Sequence, residues 1–203
     1  MNERSFTLDS IMHNKHDLIL RAAEKIIAAG GIQGLSMQQV ANEAGVAAGT
    51  IYRYFKDKNE LILELRRDVL AQVASAILAD HDKGTLEQRF KRIWMKMHDY
   101  GKQRSPTNLS YEQYAHLPES NTEEIRAIEM QLFEPLHRLF EEGKEQGVIQ
   151  PLHPRALYAI SMEPSMAMAR AIRRGLIEYD AKDITLACDI CWRAILIPTT
   201  PTN

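Results

Sequence analysis

The stretch from Ser36 to Phe55 leaves this chain few folds to choose from. Ser36 followed three residues later by Gln39 is a capping box, the signature of a helix start. Met37, Val40, Ala41 and Ala44 then fall at i, i+3, i+4 and i+7, one buried helical face. Ala41 has to be small if a second helix crosses there at a steep angle. Gly45 stands where the first helix should end, at the position that tolerates positive φ because glycine has no Cβ. A second short helix is predicted a few residues on, anchored in the core by Ile51 and Phe55 at i, i+4. Helix, tight glycine turn and helix together predict a helix-turn-helix.

The rest of the chain is also helical, with no period-two alternation long enough for a sheet. A first helix is predicted over Lys15–Ala29, stopped by Gly30-Gly31, and the helix-turn-helix follows. Asp57 with Glu60 starts a long fourth helix carrying Leu61, Leu65, Val69, Val73 and Ile77 on one stripe. Beyond Gly84, Thr85 with Gln88 caps a fifth helix whose face is Leu86, Phe90, Ile93, Trp94, Met97 and Gly101. A short helix carries Tyr111 and Tyr114. Asn121 is expected to cap a seventh helix to Gln146, interrupted by Pro135. An eighth spans Pro154 to Gly175, and a ninth runs from about Asp183 to Ile197.

The short turn and the exposed polar face of the second helix-turn-helix element match the geometry in which that helix enters the major groove of DNA. The run Gly45-Val46-Ala47-Ala48-Gly49-Thr50-Ile51-Tyr52-Arg53-Tyr54-Phe55-Lys56-Asp57-Lys58-Asn59-Glu60-Leu61 resembles the recognition segment of the TetR/AcrR family of bacterial repressors. Ile19-Leu20-Arg21-Ala22-Ala23, Gly30-Gly31 and Leu35-Ser36-Met37 resemble the same family's first helix and the approach to its second. The resemblance covers Lys15 to Leu65, and beyond it extends only to length and helical plan. One departure is that the family often has Ser and Lys where this chain has Ala47 and Ala48. The resemblance implies an all-α fold, with an N-terminal three-helix helix-turn-helix DNA-binding domain and a C-terminal six-helix ligand-binding and dimerisation domain. The expected division is a flexible extension at 1–14, the DNA-binding domain at 15–60, the body at 61–197 and a flexible tail at 198–203.

Within the head, the residues expected at DNA are Ser36, Gly49, Thr50, Tyr52, Arg53, Tyr54 and Lys58. Gly49 and Thr50 open the second helix, where backbone approaches base edges. Arg53 is its cation, suited to bidentate contact with guanine. Tyr52, Tyr54, Ser36 and Lys58 would hold phosphates. A formal net charge of −2 argues against a nonspecific binder, which needs many cations to displace counterions.

The eighth helix is apolar almost all round, apart from Tyr158 and Glu163, so it is expected to be buried on more than one side. The ninth carries Ile184, Cys188, Cys191 and Ile195 at bundle spacing, with Trp192 alongside. The resemblance implies that these two helices pair with their mates in a homodimer; the plainer reading is that they close a monomer's core. Cys188 and Cys191 lack further ligands or a redox context and are expected to pack as small hydrophobes. Glu163, beside Pro164 on an apolar helix, draws attention as a carboxylate that has to be paired or neutralised if buried. With Trp94, Met97, Tyr111, Tyr114, Phe133, Tyr158, Met162 and Met166 it is the candidate ligand site, suited to hydrophobic or cationic aromatic compounds. The alternative is ordinary core with Glu163 paired to an arginine. Trp94 to Gly101 and Tyr158 to Glu163 also resemble ligand-facing helices of members that control multidrug efflux.

Among seven histidines none shows metal-ligand spacing, and no cofactor motif is visible. Neither a secretory leader nor an apolar run long enough to span a bilayer is present, so a cytoplasmic protein is expected. The expected function is a ligand-responsive transcriptional repressor, not an enzyme: a homodimer bound to double-stranded operator DNA and released by a small-molecule effector. An activator or a partner-recruited adaptor with the same head is the alternative.

Overall fold

A computed structural model describes residues 3–102 and 122–198, with side chains from residue 15 onward. Among the described residues the secondary structure is helical, relieved only by an isolated antiparallel bridge between Ile149 and Leu196. Helix α1 runs Glu3–Gly30, so the helix expected from Lys15 starts a dozen residues earlier. No Pro or Gly stands before Gly30 to stop it. Gly31, at φ 72°, turns the chain into a 3₁₀ turn at Ile32–Gly34. Then come α2 (Met37–Glu43), α3 (Ala48–Ile51), α4 (Lys58–Leu78) and α5 (Leu86–Lys102). After residue 122 the order is α6 (Glu123–Leu132), α7 (Glu134–Glu145), α8 (Pro154–Ser161), α9 (Glu163–Arg173) and α10 (Ala181–Ala194).

Local chemistry sets these boundaries. Asp57 Oδ1 accepts the N–H groups of Asn59 and Glu60 at 2.9 and 3.0 Å, and so caps α4. Thr85 and Gln88 form the reciprocal capping box at α5. Asp180 and Asp183 do the same at α10, which therefore starts at Ala181 rather than at Asp183. Thr122 Oγ1 accepts the Ile125 N–H at the head of α6, the role expected of Asn121, which lies outside the described residues. Two expected long helices are each two. Pro135 and Pro164 have no N–H to continue the ladder, so the chain breaks at Phe133 and Met162 and restarts with a proline in the first turn.

The chain forms two compact units. One gathers the chain through Leu70 and adds the first turns of α6, to Ile128; the other takes Ala71 through α5 and resumes at Glu129. The division falls inside α4, between Leu70 and Ala71. In the first unit α1 packs on α2 and α2 on α3. Ile19, Ala23, Val40, Ala41, Ile51, Phe55, Leu61 and Leu65 are all but inaccessible to solvent. In the second unit α5 is the central helix, packed against α9, α10 and α7. Leu86, Phe90, Ile93, Trp94 and Met97 of α5 share one core with Leu139 and Phe140 of α7 and Cys188 and Trp192 of α10. Full burial of each such side chain contributes about 1.5–3 kcal/mol. Lys91 of α5 lies 2.6 Å from both Glu87 and Asp189, and the Asp189 carboxylate, with Glu87, pushes its ammonium pKa further up.

Candidate nucleic-acid interface and body core

The helix-turn-helix is closed by hydrogen bonds that depend on one glycine. Gly45 adopts φ 66°, and this lets its N–H reach Asn42 O and the Val46 N–H reach Ala41 O, at 3.2 and 2.9 Å. That pairing is the Schellman ending of a helix. At the other end of α2 the Ser36 hydroxyl accepts the Gln39 N–H and donates to Gln39 Oε1, at 3.2 and 2.9 Å. Gln39 therefore answers the serine side chain rather than its backbone, which is half of the expected capping box.

Helix α3 is a single turn, extended by Arg53 N–H to Thr50 O and Tyr54 N–H to Ile51 O, both 3.0 Å. Ile51 and Phe55 fix it to the core, as their spacing predicted. Gly49 and Arg53 are exposed, Tyr52 is 59% exposed, and Thr50 and Tyr54 are half-buried. Gly49 has an ordinary φ, and a Cβ built on it would meet nothing within 4 Å. The fold itself gives no reason for glycine there, where alanine is the better helix former. Lys58 is partly engaged, its Nζ donating to Ile32 O at 3.3 Å. His16 of α1 stacks on Phe55 with ring centroids 5.1 Å apart and lies 6.4 Å from the ring of Tyr54. Sequence reading passed over His16; its place one turn before Ile19 and Leu20, on the buried face of α1, was the available signal.

In the second unit, Trp94, Met97, Met162 and Met166 are buried, and Phe133 and Tyr158 are partly buried against the same core. Tyr111 and Tyr114 lie outside the described residues. Glu163 is exposed in the first turn of α9, where a carboxylate suits the helix dipole. The structure does not bring it together with the buried Trp94, and the burial cost that drew attention to it does not arise. A buried polar residue that sequence reading missed is His98. It is fully buried and stacked on Trp94, with centroids 5.9 Å apart and planes 7° from parallel. Burial lowers its pKa, with Lys102 adding to the effect and Asp99 opposing it.

The expected dimer residues take a different place. Ile184, Cys188, Cys191, Trp192 and Ile195 all point into the core of their own unit. Trp192 meets Phe90 in a tilted ring contact, with centroids 5.1 Å apart and planes at 48°. Burial pushes the Cys188 thiol up to about 12 and raises Cys191 as well, as expected of packing groups. The opposite face of α10 presents Leu186 and Ile190, 54% and 51% exposed, one helical turn apart, and Ile197 follows. Ile160, Leu176 and Ile177 are also exposed. Among the described residues no group of three or more metal-ligating side chains converges, and no helix is long and apolar enough to cross a membrane.

A small helix-turn-helix head with an unburdened, exposed second helix, joined in sequence to a larger all-helical unit, defines a helix-turn-helix DNA-binding regulator. Residues 19–65 match the model of the bacterial regulatory proteins of the tetR family, and residues 85–196 match that of the tetracyclin repressor-like C-terminal domain. The chain belongs to the TetR family of transcriptional regulators. It is 31% identical over 187 residues to an HTH-type transcriptional regulator of Haemophilus influenzae, covering 87% of this chain and 93% of that one. A TetR-family protein of Vibrio parahaemolyticus is 38% identical and superposes with a TM-score of 0.80 over 91% of this chain and 99% of the other. The fatty acid metabolism regulator protein of Bacillus subtilis is 28% identical over 140 residues, 67% of this chain and 71% of its own. FadR of that organism, solved in complex with stearoyl-CoA, shares the fold with a TM-score of 0.64 at 22% identity, over 87% of this chain and 95% of that one.

Proposed function

We propose that this regulator is a homodimeric repressor that binds a two-fold operator and is released when a small hydrophobic effector enters its body. The observation that carries the reading is Gly49. It is exposed, unstrained and uncrowded within a helix, so its missing side chain serves something outside the fold. Close approach of backbone to base edges is that need. Arg53, exposed two residues past α3, supplies the guanine-reading fork. Thr50, Tyr52 and Tyr54 border it, Ser36 is exposed at the head of α2, and Lys58 follows; these would hold phosphates.

The dimer face of this reading is the outer side of α10. Leu186 and Ile190 form an exposed apolar stripe beside a shallow groove of about 390 Å³ lined by Lys182, Thr185, Leu186 and Asp189. Knob next to hole on one face is what a two-fold interface requires. Such a dimer would offer its two α3 elements to successive major grooves, about 34–36 Å apart. An effector lowers operator affinity by its differential affinity for the two states. The relationship to a regulator of fatty acid metabolism supports an effector with a long apolar part. Control of efflux genes has only the local likeness of Trp94–Gly101 and Tyr158–Glu163 behind it. The place of action is the cytoplasm.

Deleting the gene in its host, with a reporter on the neighbouring promoter, tests the sign. Rising expression supports repression, and falling expression supports the activator reading.

A further inference from the structure

Among the described residues, three buried polar atoms in the body make no well-formed hydrogen bond: Nδ1 and Nε2 of His98, and Nε1 of Trp94, which has only the Cys191 thiol beside it. His98 is 0% exposed and so is Trp94. Asp99 Oδ1 lies 3.5 Å from His98 Nδ1, too long for a good hydrogen bond, and Lys102 already pairs it at 3.1 Å. The other buried polar side chains of this unit behave as buried groups should. Ser161 Oγ donates to Leu157 O and Ser165 Oγ to Met162 O, both at 2.7 Å. An imidazole with two unmet nitrogens, stacked on an indole whose N–H has only a weak thiol acceptor, is costly for a protein whose only need there is packing.

The surroundings are closely packed but rich in thioethers. One turn beyond His98, α5 meets α9 at Gly101, where a built Cβ would lie 2.7 Å from Ala169 Cβ and 3.3 Å from Met166 Sδ. Met97, Met162 and Met166 are buried in the same core. Thioether side chains are unbranched and repack readily, so they can turn aside for an incoming apolar group. Helix α9 also starts afresh at Glu163, so it is not locked to α8 by a continuous ladder.

We propose that His98 and Trp94 are the polar anchor of the effector site, and that the group they select is an uncharged carbonyl on an aliphatic chain, not a cation. The inference rests on the reading above that the body binds an effector. A neutral imidazole and the indole N–H offer two donors and one acceptor, a match for a carbonyl oxygen. The suppressed protonation of His98 fits that neutral state. A buried cation would need a buried carboxylate. Among the described residues the buried acidic or basic side chains are Glu24 and Arg66, both in the head unit, and His98.

The test uses the full-length Trp192→Phe protein, in which Trp94 is the sole tryptophan. Decanamide and decylamine, the latter protonated at pH 7, are titrated against its emission, and operator affinity is followed in parallel. Decanamide should shift Trp94 emission and weaken operator binding, and decylamine should bind at least ten-fold more weakly. His98→Leu should lose ten-fold or more for decanamide while its melting midpoint stays level or rises, because the unmet imidazole is gone. His98→Phe, which keeps the ring stack, should lose decanamide likewise. Equal decanamide affinity in wild type and both variants, no decanamide binding, or preference for decylamine would overturn the proposal. A low-molecular-weight extract of the host separates it from the broader reading. Operator release of wild type and His98→Leu alike sinks the anchor and leaves effector control standing; release of neither sinks both.

Discussion

Replacing Gly49 by alanine separates what the fold needs from what DNA needs. Within the protein the new methyl meets nothing within 4 Å, and the backbone there is already in an ordinary conformation. Alanine is favoured over glycine by up to about 1 kcal/mol inside a helix, and it also restricts the unfolded chain. Position 49 lies in the first turn of α3, so the net stabilisation should be about 0.5–1 kcal/mol. For a chain of this size that raises the melting midpoint by about 1–4 °C. On the operator the sign reverses. A methyl placed between backbone and base edges forces an overpacked contact, costing about 1–3 kcal/mol, a loss of roughly 5- to 150-fold. Gly45→Ala is the control: at φ 66° an alanine costs about 1–2 kcal/mol, so both stability and binding should fall. The assay is a thermal melt beside operator titration by fluorescence anisotropy at one fixed salt concentration. If Gly49→Ala binds the operator as tightly as wild type, backbone does not approach DNA at that residue and the reasoning fails.

Charging the outer face of α10, with Leu186→Arg or Ile190→Glu, should leave the helical circular-dichroism signal intact and give monomers in sedimentation; dimers persisting in both variants would place the interface elsewhere. Cys188→Arg should instead unfold the body, since its side chain is 2% exposed. Native Cys188, its thiol pushed up to about 12, should resist iodoacetamide at pH 8 until denaturant is added. His98 and His137 both have lowered pKa values, chiefly through burial. The unfolded chain therefore binds more protons, and stability present above about pH 6.5 is lost as pH falls through that value, by at most about 1.4 kcal/mol per pH unit per histidine. His98→Leu should flatten the slope of the urea midpoint between pH 6.5 and 5.5, and an unchanged slope would show that folding does not lower the His98 pKa.

What could be read from the sequence was what is decided within a few residues. The caps at Ser36, Asp57 and Thr85 and the turn at Gly45 act locally, and each is where its residues placed it. The α5 face was legible for the same reason, six of its buried residues recurring at helical spacing. Periodicity reports that a face is buried, not what covers it. Ile184, Cys188, Cys191 and Ile195 form a true stripe, but it closes on α5 and its neighbours, whereas Leu186 and Ile190 on the other side of α10 stay exposed. Glu163 misled because its helix was taken as continuous. Once Pro164 restarts the chain at residue 163, the carboxylate falls in a first turn open to solvent. The burial of His98 was legible from its place four residues after Trp94 on the same α5 face, but its lack of partners was not, because that comes from which helices surround it.

The central claim is that the exposed second element of the head reads a two-fold DNA sequence. Selecting binding sites from a random duplex pool with wild-type protein, then titrating Arg53→Ala on the selected and a scrambled duplex, tests it most directly. The account predicts enrichment of a palindrome with half-sites one helical turn apart. It also predicts that Arg53→Ala loses about 1–3 kcal/mol on that sequence and little on the scrambled one. No enriched palindrome, or equal loss on both duplexes, would contradict it.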